Sequence, residues 1–300
     1  MSSILLFGIM PLWLIAALAA VAFTVTYELI TKNLLNQNEN HHPTAFASIA
    51  FMTVCVYAAV LYVILGVKMT DFQHLLVPQI GLILLADIVM YTIAPYFYYR
   101  ALKLLPLSEV LILYSLTGAF ALAVGVFLGA EPFYFSRLIG GIVILFSVVL
   151  LSIEKGKWKI NKGFWLMLGA TFFYALGATA DNQLIAHNYF SNLFVLSITF
   201  GVPGILLFLL DSSARSHATR MFTRKIYPTI AVTALFFLLS FSSLFLAYRQ
   251  GGTTSQVSFV LCTETIAVVV LAAIFLGERD NMKKKVIAAI LACVGVFLLR

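Results

Sequence analysis

Long apolar runs, broken at intervals of 20 to 30 residues by short polar stretches, organise this sequence from end to end. Crossing a bilayer core takes about 20 apolar residues in a helix. Runs of that order begin at Pro11, Thr44, Pro78, Pro106, Phe133, Gly163, Asn192, Tyr227 and Thr253, and a shorter one extends from Val286 to Leu299. The pattern predicts an all-α integral membrane protein with ten transmembrane helices. The last run falls short of the bilayer thickness, a deficit that Lys283, Lys284 and Lys285 can meet by snorkelling. Pro11, Pro43, Pro78, Pro106, Pro132 and Pro228 stand at or near predicted starts, where a missing N–H costs nothing. Pro95 and Pro203 fall inside spans, as kink candidates.

Composition supports lipid as the solvent. Hydrophobic residues make up 62% of the chain and charged ones 10%, against about 25% charged in soluble domains. A net charge of +7 raises the question of nucleic acid. The basic residues, however, sit in short connections rather than on one face, so no nucleic-acid partner is expected. Fifteen of the nineteen Lys and Arg residues fall in the odd-numbered connections. The positive-inside rule then puts those connections in the cytoplasm and both termini outside, in a cell (inner) membrane. The first apolar stretch is too long for a signal peptide and lacks a charged leader. Cys55, Cys262 and Cys293 all lie in apolar runs, as small hydrophobes rather than a disulfide framework.

An internal repeat is the most informative feature. From Phe97 and again from Leu246 the chain reads a Tyr-Arg pair, an apolar helix, Phe-Leu-Gly, a short polar loop and a final apolar helix. Tyr99-Arg100 matches Tyr248-Arg249, residues 127–129 match 275–277, and Thr117 matches Thr265. More loosely, Glu28–Asn33 resembles Gln183–Asn188. This predicts a duplicated five-helix unit, 1–155 and 160–300. Five is odd, so the second copy must insert upside down, giving an inverted 5+5 repeat. Carriers that work by alternating access use that architecture, with substrate bound near the midplane between the halves.

The closing segment, with Glu264, the run from Leu271 through Gly277-Glu278 and a Gly-containing final span, resembles the EamA-like branch of the drug/metabolite transporter superfamily. The resemblance covers the whole two-repeat layout and implies a secondary transporter of small metabolites. Two departures are visible. Thr117 and Thr265 stand where the family has Pro, and the first-half Gly-Glu reads Gly129-Ala130-Glu131. The family is usually drawn with cytoplasmic termini, whereas the charges here place them outside.

Ionisable groups inside spans cost about 2.5–3.5 kcal/mol each at mid-helix on insertion scales, so they mark candidate function. Asp87, Asp181 and Glu264 have no cation within a helical turn. Glu28 reads equally as a site residue or as an interfacial partner of Lys32 at i+4, and Glu109 as a helix-N-terminal carboxylate. Asp87, Tyr91, Ala94 and Tyr98 share one helical face, as do Tyr174, Gly177 and Asp181. Ser255, Ser258, Cys262 and Thr265 form a polar stripe. The candidate substrate-binding set is Glu28, Asp87, Tyr91, Tyr114, Tyr174, Asp181 and Glu264, suited to a small cationic or amphipathic solute with proton or ion coupling. The competing reading gives the small and hydroxylated positions to helix packing and the tyrosines to an interfacial belt. The five histidines lie in connections or at span ends, and no metalloprotease, hydrolase, P-loop or dinucleotide motif occurs. No enzyme activity, metal or cofactor is therefore expected. The alternatives are a non-transporting membrane receptor or scaffold and, with only the Asp87–Asp181 acids behind it, an intramembrane enzyme. The chain is expected to act as a monomer in the bilayer.

Overall fold

The structure, a computed structural model, describes residues 11–37, 41–127, 135–154, 157–158, 160–186, 189–251 and 254–298. Helices dominate it. The first half contains α1 (Leu12–Gln37), α2 (Pro43–Leu65), α3 (Met69–Leu75), α4 (Pro78–Leu104), α5 (Leu107–Tyr114), α6 (Leu116–Phe127) and α7 (Phe135–Ser152). A two-residue antiparallel ribbon, Ile153–Glu154 with Lys157–Trp158, leads to the second half. There follow α8 (Lys162–Ala186), α9 (Asn192–Leu210), α10 (Ser212–Met221), α11 (Tyr227–Arg249), α12 (Thr254–Phe275) and α13 (Met282–Leu298). By length and composition α1, α2, α4, α8, α9 and α11 can each cross a membrane, and shorter apolar helices accompany them.

Proline and polar caps set most of the helix starts. Pro43, Pro78 and Pro228 occupy the first two positions of α2, α4 and α11. Pro95 and Pro203 lie inside α4 and α9. Three features differ from the sequence pattern. The fourth predicted span is divided at Ser115, whose Oγ donates to the Ile112 carbonyl, a local bond that competes with the helical ladder. The short helices α3 and α10 occupy stretches expected to be plain connections. The segment carrying Gly129-Ala130-Glu131 lies outside the described residues.

The two halves interlock. Helix α1 packs on α11 and α4 on α8; α2 packs on α9 and α7 on α13. Lesser contacts join α1 to α12, α6 to α8, α2 to α11 and α4 to α9. Swapping each first-half helix for its second-half counterpart leaves this set of partners unchanged. The α2–α9 and α7–α13 pairs bring backbone close over glycine. A Cβ on Gly204 would stand 3.0 Å from the Met52 amide nitrogen of α2, and one on Gly295 would stand 2.9 Å from the Gly140 carbonyl oxygen and Ile144 nitrogen of α7. Small residues give apolar helices in lipid the close approach that a hydrophobic effect cannot supply there.

The outside is apolar as well as the core, and a few acids are buried. Leu65, Leu82, Trp165, Leu210 and Phe275 are among the large side chains left exposed, while Glu28, Asp87, Asp181 and Glu264 are buried. Polar contacts at the helix ends fall into two sets. One joins connections one, three, five, seven and nine. Lys32 Nζ donates to the carbonyls of Leu102 (2.6 Å) and Leu105 (2.7 Å), closing the end of α4. Lys103 Nζ donates to the His41 carbonyl, Arg100 pairs with Asp211 at 2.7 Å, and Lys284 donates to the Leu151 and Ile153 carbonyls. Glu278 accepts from the Leu107 and Ser108 amides (2.7 and 3.1 Å), capping α5 from the other half. The second set joins connections two, six and eight. Asp71 accepts from the Ser191 amide and hydroxyl at the start of α9, Arg249 donates to the Phe190 carbonyl, and His74 bonds the Tyr189 carbonyl.

The tight α7–α13 contact gives a paired prediction. Gly295→Ala places its methyl against backbone that cannot yield as a side chain would, and it should lower stability by about 1–3 kcal/mol. Gly141→Ala in the same helix pair meets open space and should be neutral or slightly stabilising. Thermal midpoints in detergent, read by size-exclusion fluorescence, will separate the two. Equal midpoints would remove the steric account of this interface.

Candidate functional site

At the centre of the bundle the chain places four carboxylates and a group of tyrosines. Helix α4 contributes three of them, Asp87, Tyr91 and Tyr98, because its Asp87–Tyr91–Ala94–Tyr98 face is wholly buried. Tyr91 donates to Asp181 Oδ2 of α8 at 2.6 Å, and Tyr98 donates to Glu28 Oε1 of α1 at 2.6 Å. Asp87 accepts from the Thr199 hydroxyl of α9 at 2.8 Å. The other oxygens, Glu28 Oε2, Asp87 Oδ1 and Asp181 Oδ1, are buried and have no hydrogen-bond partner among the described residues. Each leaves acceptor capacity unmet in a place where an unmet polar group costs about 1–3 kcal/mol.

The acids fall into two pairs. Asp87 and Asp181 are within Coulombic range of each other, and so are Glu28 and Glu264. Each pair draws one member from the first half of the chain and one from the second. Tyr174 stands between the pairs. Its ring meets those of Tyr91 at 5.9 Å, Tyr98 at 5.9 Å and Tyr114 at 5.6 Å, all edge-on. Tyr114 in turn meets Tyr98 at 6.2 Å and lies within Coulombic range of Glu264, Glu28 and Asp181. Tyr114 and Tyr174 both keep part of their surface accessible.

An apolar wall backs this centre. Tyr91 packs on Phe200 of α9 at 5.6 Å, and Phe200 packs on Phe237 and Phe241 of α11 at 4.9 and 5.1 Å. Gly177 makes the arrangement possible on the α8 side. A Cβ there would stand 3.0 Å from the Tyr91 ring, so any larger residue would push that ring back from α8.

All seven candidate positions therefore lie in one region, with Tyr91, Tyr98 and Tyr174 linking the acids. The geometry corrects two readings. Glu28 does not pair with Lys32, because the Lys32 ammonium is drawn to the open carbonyls ending α4 while Tyr98 takes the carboxylate. Tyr91, Tyr98 and Tyr114 form no interfacial belt; α4 and α5 turn them into the bundle. Glu109 sits in the first turn of α5, as a helix-N-terminal carboxylate should. On α12 the side chains of Ser255 and Ser258 lie outside the described residues, and Cys262 faces Cys293 of α13 at 3.1 Å, so that part of the stripe is helix packing. Tyr98 and Thr199 are the partners that sequence reasoning left out of the site. The i+7 spacing from Tyr91 was a usable signal for Tyr98. None existed for Thr199, which meets Asp87 only through the α4–α9 contact.

A lipid-compatible exterior around buried acids defines a multi-pass α-helical membrane protein. The sequence profile of the EamA-like transporter family matches residues 11–153 and again residues 161–300. The chain belongs to that family, a branch of the drug/metabolite transporter superfamily whose members carry small solutes across membranes. A crystal structure of a protein 17% identical in sequence superposes with a TM-score of 0.64 over 95% of each chain, a likeness of fold. No curated protein sequence matches it.

Proposed function

We propose that this protein is a secondary carrier of small cationic or amphipathic metabolites, an exporter or exchanger, working by alternating access. The observation that carries the reading is the central assembly of carboxylates and tyrosines, in which each acid pair is shared between the two halves. A site built that way changes shape when one half tilts against the other, so binding and tilting are coupled. Unmatched carboxylate oxygens supply an affinity for cations that the closed bundle does not itself satisfy. A receptor or scaffold has no use for such a centre, and no metalloprotease, hydrolase, P-loop or dinucleotide motif in the sequence points to an enzyme.

The proposal includes ten crossings, arranged as an inverted repeat of residues 1–155 and 160–300. Its support is the division of end contacts among the described residues, in which connections one, three, five, seven and nine bond one another and two, six and eight do likewise. The runs that join one set to the other then reach from end to end. With fifteen of nineteen cations in odd connections, the odd end is cytoplasmic and both termini are outside an inner membrane.

Two measurements test this reading. Purified protein in liposomes should move solutes found by an unbiased thermal-shift screen of amino acids, amines, vitamins and nucleotide-linked metabolites. Glu28→Gln, Asp87→Asn, Asp181→Asn and Glu264→Gln keep shape while removing charge, and at least two should cut transport ten-fold or more at unchanged expression. Full transport by the quadruple amide variant would refute the site. For orientation, cysteines replacing Lys157 and Arg220 should resist an impermeant thiol reagent added to intact cells. Ready labelling would reverse the topology.

A further inference from the structure

The centre has two acid pairs and not one, and their spacing carries information about the solute. Tyr91 bonds Asp181 and Tyr98 bonds Glu28. These phenols are seven residues apart on one face of α4, about 10 Å along the axis at 1.5 Å per residue. Asp87 is within Coulombic range of Asp181 and Glu264 of Glu28, so a pair of acids stands near each end of that distance. The stretch between is aromatic, formed by Tyr91, Tyr98, Tyr114 and Tyr174. Glu28 Oε2 at one end, and Asp87 Oδ1 and Asp181 Oδ1 at the other, are buried and unpartnered.

We propose that the solute is a linear dication, an α,ω-diamine whose two ammonium groups bind the two acid pairs while its methylene chain lies among the tyrosines. The inference rests on the carrier reading above and narrows it to a substrate class. A single ammonium would leave the open acid oxygens at one end unanswered, at the cost that an unmatched buried polar group carries. Two ammonium groups held a few methylenes apart answer both, and each can donate to the open oxygen while the phenol keeps the other. Aromatic faces favour the polarised CH₂ groups next to nitrogen as they favour cations. The site also discriminates by length. A chain too short cannot reach both pairs, and one too long must fold against the rings.

The full chain in nanodiscs, titrated with 1,3-diaminopropane through 1,8-diaminooctane and with the matching monoamines, tests this. Thermal shift and competition against the best-binding diamine give affinities. One intermediate diamine length should bind at least ten-fold tighter than its monoamine, with a maximum within the series. Glu28→Gln and Asp181→Asn should each erase that advantage, leaving diamine and monoamine equal. If Asp181→Asn does not fold, Asp87→Asn tests the same end. Equal binding of monoamines and diamines by the unaltered protein would overturn the dication while leaving a carrier of cations. So would failure of every amine while another solute is transported in liposomes. Absence of transport for any solute would overturn the carrier reading as well.

Discussion

Everything central to this molecule depends on where four carboxylates can be accommodated once they are taken out of water. In lipid an acid in mid-helix costs a few kcal/mol, and nothing outside the protein can solvate it. Glu28, Asp87, Asp181 and Glu264 are all buried, and the hydrogen bonds found for them come from other helices: Tyr98 to α1, Tyr91 to α8 and Thr199 to Asp87 on α4. Those bonds require α4 to lie against α8 and α9 with α1 nearby, which is how the helices pack. The acids thereby tie the two halves together at their centre. They do so incompletely, since three of their oxygens remain without partners. A centre meant only for stability would have no reason to keep them.

The charged residues at the helix ends do a different task. Asp71, Asp211 and Glu278 accept from backbone amides that start α9, α10 and α5, and Lys32 answers carbonyls that end α4. Asp211 also holds Arg100, one member of the repeated Tyr-Arg pair, and Arg249, the other, bonds the Phe190 carbonyl at the opposite end. Burial alone would push the Asp211 carboxyl up, but the bonds from Arg100, Thr44 and the Ala214 amide outweigh it and hold it below the usual carboxylate range. The Gly277-Glu278 pair that carries the family resemblance belongs to this group. Its carboxylate caps a helix of the other half, so it joins the two halves at the odd-numbered end.

The fold was largely legible because its determinants are local. Length of apolar runs and prolines at helix starts gave the starts of α2, α4 and α11 to within a residue. What the pattern could not reveal was set by tertiary contact. The break at Ser115 comes from a side-chain bond with no hydropathy signature. Thr199 finds Asp87 across 112 positions, a partnership that only the α4–α9 packing creates. Glu28 was ambiguous for the same reason. Helical spacing offers it Lys32, but the carbonyls ending α4 compete for that lysine and win. Asp87, Asp181 and Glu264 were legible as a group because the absence of nearby cations along a helix is itself a local property.

The claim at the centre of this account is that the halves move against each other about the carboxylate–tyrosine assembly. Its direct test is pulsed-EPR distance measurement in nanodiscs on two spin-labelled pairs in a cysteine-free background. Leu104 with Arg279 spans the halves at the odd end, and Leu76 with Gln250 spans them at the even end; all four are exposed. The account predicts two populations at each end, with solute and pH shifting them in opposite senses, so that one end opens as the other closes. A single fixed distance at both ends under all conditions, or both ends opening together, would contradict it.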